Sequence, residues 1–185
     1  PCGLHARILK SQPLMETEST IRLYSLDYGR AKTYAAAGLC VAANVVVPQL
    51  CHLVPGGGAV LLPIYFFTLV AAVKYGWRAG LLTAVASPLV NALLFGMPGV
   101  AALPPILVKS VVLALVAGYA AQRLRSVSIP MLAGVVLAYQ FAGTLFEWAF
   151  TGSFHAAVQD FRMGIPGMLL QVAGGWAVLR YLLRK

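Results

Sequence analysis

Apolar stretches of membrane-spanning length alternate along this chain with short polar groups. Bilayer hydrocarbon is about 30 Å thick and asks for roughly 20 apolar residues from each helix that crosses it. On that measure the pattern predicts six spans, at residues 31–49, 59–73, 79–95, 103–121, 129–150 and 165–183. The second is short unless it begins inside the preceding glycine-rich loop, and Lys74-Tyr75-Gly76-Trp77-Arg78 reads as the turn between it and the third. Pro48, Pro63, Pro88, Pro98, Pro104, Pro105, Pro130 and Pro166 mark helix ends or breaks, because proline lacks the amide donor that a continuing helix needs. The expected fold is an all-α integral membrane protein, six transmembrane helices in one bundle. Residues 1–27 form a polar N-terminal tail and residues 28–185 the membrane domain. No charged segment, short apolar core and small-residue cleavage site opens the chain, so a signal peptide is not expected there. Met15 is a candidate start, with the preceding residues belonging to something upstream.

Composition supports the same class. Of the 185 residues, 60% are apolar and only 10% charged, against about 25% charged in soluble domains. Fourteen Lys and Arg against five Asp and Glu give a net charge of +9. These cations form no continuous basic face for nucleic acid; they fall in small groups between apolar segments, as in a protein held beside anionic lipid. Their placement also orients the chain. With the N-terminus in the cytoplasm, Arg22, Arg30 and Lys32 lie inside, as do Lys74 with Arg78, Arg123 with Arg125, and Arg180, Arg184 and Lys185. The outer loops then hold only Arg162. This positive-inside bias predicts both termini in the cytoplasm. Tyr24, Tyr28, Tyr34, Tyr75, Trp77 and Tyr181 fall near the inner boundary, where interfacial aromatics belong.

Polar side chains within hydrocarbon are costly and usually face a partner or a cavity. Lys109 lies six residues into the fourth span, about 9 Å deep at 1.5 Å per residue. Glu147 lies near the outer end of the fifth, so a Lys109–Glu147 pair is expected, either joining two helices or also meeting a ligand. Asn91, Gln49, His52, Tyr65, Gln140, Trp148, Gln159, Asp160 and Arg162 are placed in the same outer half. Their convergence predicts an outward-facing ligand pocket built from Asn91, Lys109, Gln140, Glu147, Trp148, His52, Tyr65, Gln49 and Arg162. His52 reads as a hydrogen-bonding loop residue rather than a metal ligand. Gln171 and Asn44 lie deeper and read as helix-to-helix hydrogen-bonding groups.

Val54-Pro55-Gly56-Gly57-Gly58-Ala59 lacks the Lys-Ser/Thr ending and following helix of a phosphate loop. Its glycines suit either a plain turn or a flexible cap over the pocket, with Pro55, Gly56, Gly57 and Gly58 as the lid. In the first span, small residues recur four apart at Ala31 and Ala35, Ala36 and Cys40, and Gly38 and Ala42. Such spacing admits a second helix at close range, from within the bundle or from another subunit. Cys2, Cys40 and Cys51 have neither a paired framework nor metal-ligand spacing. No cofactor or metal is expected.

One ordered set of segments resembles a known family. Leu62-Pro63-Ile64-Tyr65-Phe66-Phe67, Lys74-Tyr75-Gly76-Trp77, Ser87-Pro88-Leu89-Val90-Asn91 and Leu94-Phe95-Gly96-Met97-Pro98 are similar to the substrate-binding S component of energy-coupling factor (ECF) vitamin transporters. The six-helix pattern extends the likeness over most of residues 28–183. The resemblance implies a bacterial cytoplasmic-membrane protein that captures a vitamin or related micronutrient on the outer face. It also implies a transmembrane coupling subunit and two ATPase subunits as partners. The family's Ala-x-x-x-Ala coupling motif is matched by Ala31 and Ala35, with Gly38 and Ala42 as a second register, and its ligand-covering loop by residues 50–59.

Three other functions compete with this expectation. A membrane enzyme would need a nucleophile beside a base or a metal cluster, and Ser87, Ser110 and the three histidines suggest none; Glu147 with His155 is a loose pairing. The chain is therefore expected not to be an enzyme, with ATP hydrolysis on its partners. A self-sufficient small transporter or channel, and a purely structural subunit, are the remaining alternatives. The substrate is left open: Lys109 and Arg162 suit an anion, Glu147 and Asp160 an amine, and Trp148 and Tyr65 a ring.

Overall fold

The computed structural model describes residues 28–53 and 55–183. The tail 1–27 (with Cys2, Met15, Arg22 and Tyr24), Val54, Arg184, Lys185 and the side chain of Asp160 lie outside the described residues. The described chain is helical throughout: α1 (Ala31–His52), α2 (Gly57–Leu61), α3 (Pro63–Tyr75), α4 (Trp77–Phe95), α5 (Leu103–Leu124), α6 (Ile129–Thr151), α7 (Phe154–Met163) and α8 (Ile165–Leu183). Four of them, α1, α4, α5 and α6, are long and apolar enough to cross a membrane. The chain is an all-α, multi-pass membrane protein.

The helix ends follow local chemistry. Ser128 precedes α6, and its hydroxyl accepts the Met131 amide, satisfying one of the donors a helix start leaves open. Gly96 and Gly152 end α4 and α6 at φ 66° and 68°, left-handed conformations that glycine adopts without a Cβ penalty. Pro104 and Pro130 sit in first turns, where a missing amide costs nothing.

The expected second span is realised differently from the prediction. In place of one helix over 59–73 there are two pieces, α2 and α3, separated at Leu62. Leu62 is left-handed (φ 47°, ψ 45°) and buried, and Pro63 follows it. The proline removes an amide that a continuous helix would need, so the chain breaks here. The triple-glycine segment is correspondingly not all loop, since Gly57 and Gly58 belong to α2 while Pro55 and Gly56 stay in an exposed turn. The expected sixth span forms as α8, but Gln171, Trp176 and Arg180 dilute its apolar character and it falls outside the four strongly apolar helices.

α3 is the centre of the bundle. It packs against α1, α4, α5 and α8, and Thr68, Leu69, Val70, Ala71, Ala72 and Val73 are all buried in succession. A helix buried on every side has no polar face, which explains its unbroken apolar sequence. Around it, α4, α5 and α6 pack in sequence and α8 closes against α3 and α6. Leu69, Leu113, Leu132, Val136, Tyr139 and Leu179 fill the space between them.

Glycines permit two of the closest contacts. A Cβ at Gly80 of α4 would lie 2.6 Å from Ala72 Cβ of α3, and one at Gly118 of α5 would lie 2.5 Å from Trp77 Cβ of α4. The Gly118 contact belongs to a wider gathering of basic ends. Tyr28, before α1, meets Trp77 edge-on at 6.2 Å, and Arg78 lies over both rings. Lys74, at the end of α3, donates to the Leu182 carbonyl of α8 at 3.2 Å, so the basic groups of several segments share one end of the bundle.

Gly118→Ala should lower stability in detergent by about 1–3 kcal/mol, because Trp77 backbone as well as side chain must move. Gly38→Ala meets nothing within 4 Å and should be neutral or stabilise by about 0.5–1 kcal/mol. Thermal unfolding of the two variants beside the parent protein tests both.

Candidate functional site: buried polar groups between α5 and α6

Two polar networks occupy the interior, and they differ in how completely they are satisfied. The first joins α1, α3 and α4. The Asn44 side-chain amide donates to Thr68 Oγ1 and Ser87 Oγ, each at 3.1 Å, and its carbonyl oxygen accepts the Phe67 amide at 3.3 Å. Asn91 Nδ2 donates to the Asn44 and Ser87 carbonyls at 3.0 and 2.9 Å. Gln49 Nε2 completes the chain with a 3.4 Å bond to Asn91 Oδ1. Asn44, Thr68, Ser87 and Asn91 are at most 2% exposed. Asn91 and Gln49, expected at the ligand, here join helices, together with Asn44.

The second network lies between α5 and α6. Lys109 Nζ donates to Glu147 Oε2 at 2.8 Å, with the side chains 4% and 17% exposed. This is the pair expected from the matching depths of the two residues. Gly143 makes room for it: a Cβ there would collide with Lys109 Cγ and come within 2.7 Å of Cε. Gln140, Gly143, Thr144 and Glu147 are spaced i, i+3, i+4 and i+7, so they share one face of α6. Since Gly143 and Glu147 meet Lys109, that face looks toward α5.

Several buried polar atoms of α5 and α6 have no hydrogen-bond partner. They are both side-chain amide atoms of Gln140, Thr144 Oγ1 and Ser110 Oγ. Gln140 and Ser110 are 0% exposed. An unsatisfied buried polar group costs about 1–3 kcal/mol, so four such atoms on two neighbouring helices are a substantial expense. α5 and α6 run antiparallel through a short connection, and Lys109 lies over Gly143. Ser110 is therefore level with the α6 segment between Gln140 and Thr144. Gln140 is eleven residues from either end of α6, about 16 Å in.

Aromatic and amide groups flank this region. Tyr139 donates to Gln171 Oε1 of α8 at 2.9 Å, and its ring lies 5.3 Å from that of Tyr65 on α3. Gln171 Nε2 is buried without a partner. The helix-to-helix role expected of Gln171 is thus made through its oxygen only, as that of Asn44 is made through both of its polar atoms.

The remaining expected site residues are dispersed. Trp148 is 46% exposed and meets Phe154 of α7 edge-on at 5.3 Å. Arg162 is exposed on α7, where it lines a cavity of about 540 Å³ with His155, Val158, Gln159 and Met163. His52 is exposed at the end of α1. Pro55 and Gly56 are exposed and Gly57 buried.

No protein-family model, curated protein sequence or solved structure matches the chain. Its functional reading rests on the side chains themselves. Among the described residues, no group of three or more His, Cys, Asp or Glu could hold a metal ion.

Sequence reasoning missed Ser110, Thr144 and Tyr139 as members of this region. Thr144 carries a usable signal, four residues after Gln140 and three before Glu147. Ser110 is adjacent to Lys109 but carries no periodic signal of its own, because its relevance comes from the register of α5 on α6.

Lys109→Met leaves the half-buried Glu147 carboxylate without its cation and should destabilise the protein by about 1–3 kcal/mol. The double variant Lys109→Met/Glu147→Gln should recover much of that loss. A double-mutant cycle of unfolding in detergent measures the coupling, and simple additivity would refute it.

Proposed function

We propose that the chain is the substrate-binding subunit of an ATP-driven importer of the energy-coupling factor kind, in a bacterial cytoplasmic membrane. In this reading α1, the broken α2–α3 unit, α4, α5, α6 and α8 are its six spans. Both termini face the cytoplasm, and a small micronutrient is bound from the outside. The observation that carries the reading is the unsatisfied polar face of α6 beside the Lys109–Glu147 pair, with the unpartnered Ser110 at the same level of α5. In a purely structural helix contact apolar groups at these positions would be neutral or favourable. Their polar character suits a site that is completed by a bound molecule.

Two further observations support the coupled form. The basic ends of several segments lie together, as a positive cytoplasmic side requires. Ala31, Ala35, Gly38 and Ala42 are all exposed on α1, and Gly38 has open space around it. Of the two roles open to these small residues, packing inside the bundle is not used among the described residues, and the face suits a helix of the coupling subunit. In the proposed cycle, ligand settles between α5 and α6 with Pro55, Gly56, Gly57 and Gly58 closing above it. ATP hydrolysis on the two partner ATPases then drives release inward.

Native mass spectrometry of gently purified protein should reveal a bound small molecule, and uptake of that molecule by cells should require the ATPase partners. Uptake that persists without them, or flux in liposomes holding this chain alone, would overturn the coupled form in favour of a self-sufficient transporter. Gly38→Leu should abolish co-purification with the coupling subunit and leave the melting temperature of the isolated chain unchanged, since Gly38 is exposed and a Cβ there meets nothing within 4 Å.

A further inference from the structure

The charges and unsatisfied groups between α5 and α6 restrict what can bind there. Lys109 and Glu147 neutralise each other at 2.8 Å. A carboxylate or phosphate meeting Lys109 would bring a second negative charge beside Glu147, and an amine meeting Glu147 would bring a second positive charge beside Lys109. Either leaves one charge of three uncompensated in a largely desolvated setting, which is unfavourable. The ion pair thus removes both the anion and the amine reading that Lys109 and Glu147 suggest separately. Arg162 adds no cation to the buried face, since it is exposed on α7.

What the face does offer is neutral hydrogen bonding. Gln140 presents an amide donor and a carbonyl acceptor from one planar group, both buried and both without a partner. Thr144 Oγ1, on the same face of α6, can donate or accept, and so can Ser110 Oγ at the same level of α5. A carboxamide pairs best, by two parallel hydrogen bonds, with another planar edge that carries an N–H beside an acceptor, the geometry by which glutamine reads adenine.

We propose, on the basis of the binding function above, that the ligand is an uncharged small molecule recognised edge-on by Gln140. Its recognised edge is a primary carboxamide, lactam or ureide, with an N–H donor adjacent to an acceptor. Ser110 and Thr144 hold the remainder of that polar edge, and the Lys109–Glu147 pair stays closed.

Thermal-shift and calorimetric titrations of the full chain in detergent test the class with simple probes. These are nicotinamide against N,N-dimethylnicotinamide, 2-pyridone against 1-methyl-2-pyridone, and nicotinate and 3-(aminomethyl)pyridine as the anionic and cationic counterparts. Nicotinamide or 2-pyridone should bind, and N-methylation should weaken it by about tenfold or more. Gln140→Met should abolish the response while its own melting temperature stays level or rises, because an unsatisfied amide is replaced by an apolar chain of similar volume. Should that variant fail to fold, Thr144→Val serves in its place, with the same expected weakening. Equal or tighter binding of a charged probe, indifference to methylation, or no response to any probe overturns the proposal. Native mass spectrometry separates this from the broader reading. A bound molecule that lacks the amide edge defeats the ligand class alone, whereas no bound molecule and no uptake defeat the binding function.

Discussion

Hydrocarbon offers no hydrogen bonds, so a polar side chain carried into this bundle is costly until a partner within the protein satisfies it. That constraint organises the interior. Asn44 meets it most completely, because its amide and carbonyl reach both α3 and α4 and its own backbone carbonyl receives Asn91. Three helices are thereby held at one level. α3 has only thirteen residues and follows a break at Leu62, so its position depends on these neighbours more than on its own length. The apolar packing around Leu69, Leu113, Leu132 and Tyr139 is non-directional, and the Asn44 network supplies the register that such packing lacks.

Glycine placement connects this packing to the charged pair. At Gly80 and Gly118 the missing side chain lets neighbouring helices touch along their backbones. At Gly143 the same absence has a different use, since the Lys109 stem occupies the space and its ammonium reaches Glu147 one turn further along α6. A long flexible cation inside a membrane protein needs its apolar stem covered as well as its charge paired. Gly143 and Glu147 perform those two tasks from one helical face.

The two interior networks divide the polar residues by role. Where donors and acceptors match, as at Asn44, Thr68, Ser87 and Asn91, the groups join helices. Where they do not, as at Gln140, Thr144 and Ser110, the face is open to recognition chemistry. Asn91 and Gln140 look equivalent in sequence, each an amide within an apolar stretch. Depth alone puts both near an outer pocket. The folded surroundings distinguish them: Asn91 donates to the Asn44 carbonyl of α1 and the Ser87 carbonyl of its own helix, whereas the Gln140 amide has no partner. Trp148 and Arg162, grouped with Glu147 in the outer half by the sequence, sit exposed on a flank of α6 and on α7, which position along the chain cannot reveal.

The linear order of apolar and polar residues by itself determined the membrane class, the positions of most helices and the Lys109–Glu147 pair. Each follows from a one-dimensional quantity: the length of an apolar run, the spacing of cations along the chain, or depth counted from a span's end. The exposed small-residue face of α1, the slot at Gly143 and the unsatisfied face of α6 were decided only by tertiary structure. They depend on rotation about each helix axis and on the register between helices, and an uninterrupted apolar sequence leaves both undetermined. In α3 and α6 almost any face is apolar enough to be buried, so directional polar contacts, and not hydropathy, select the one that is.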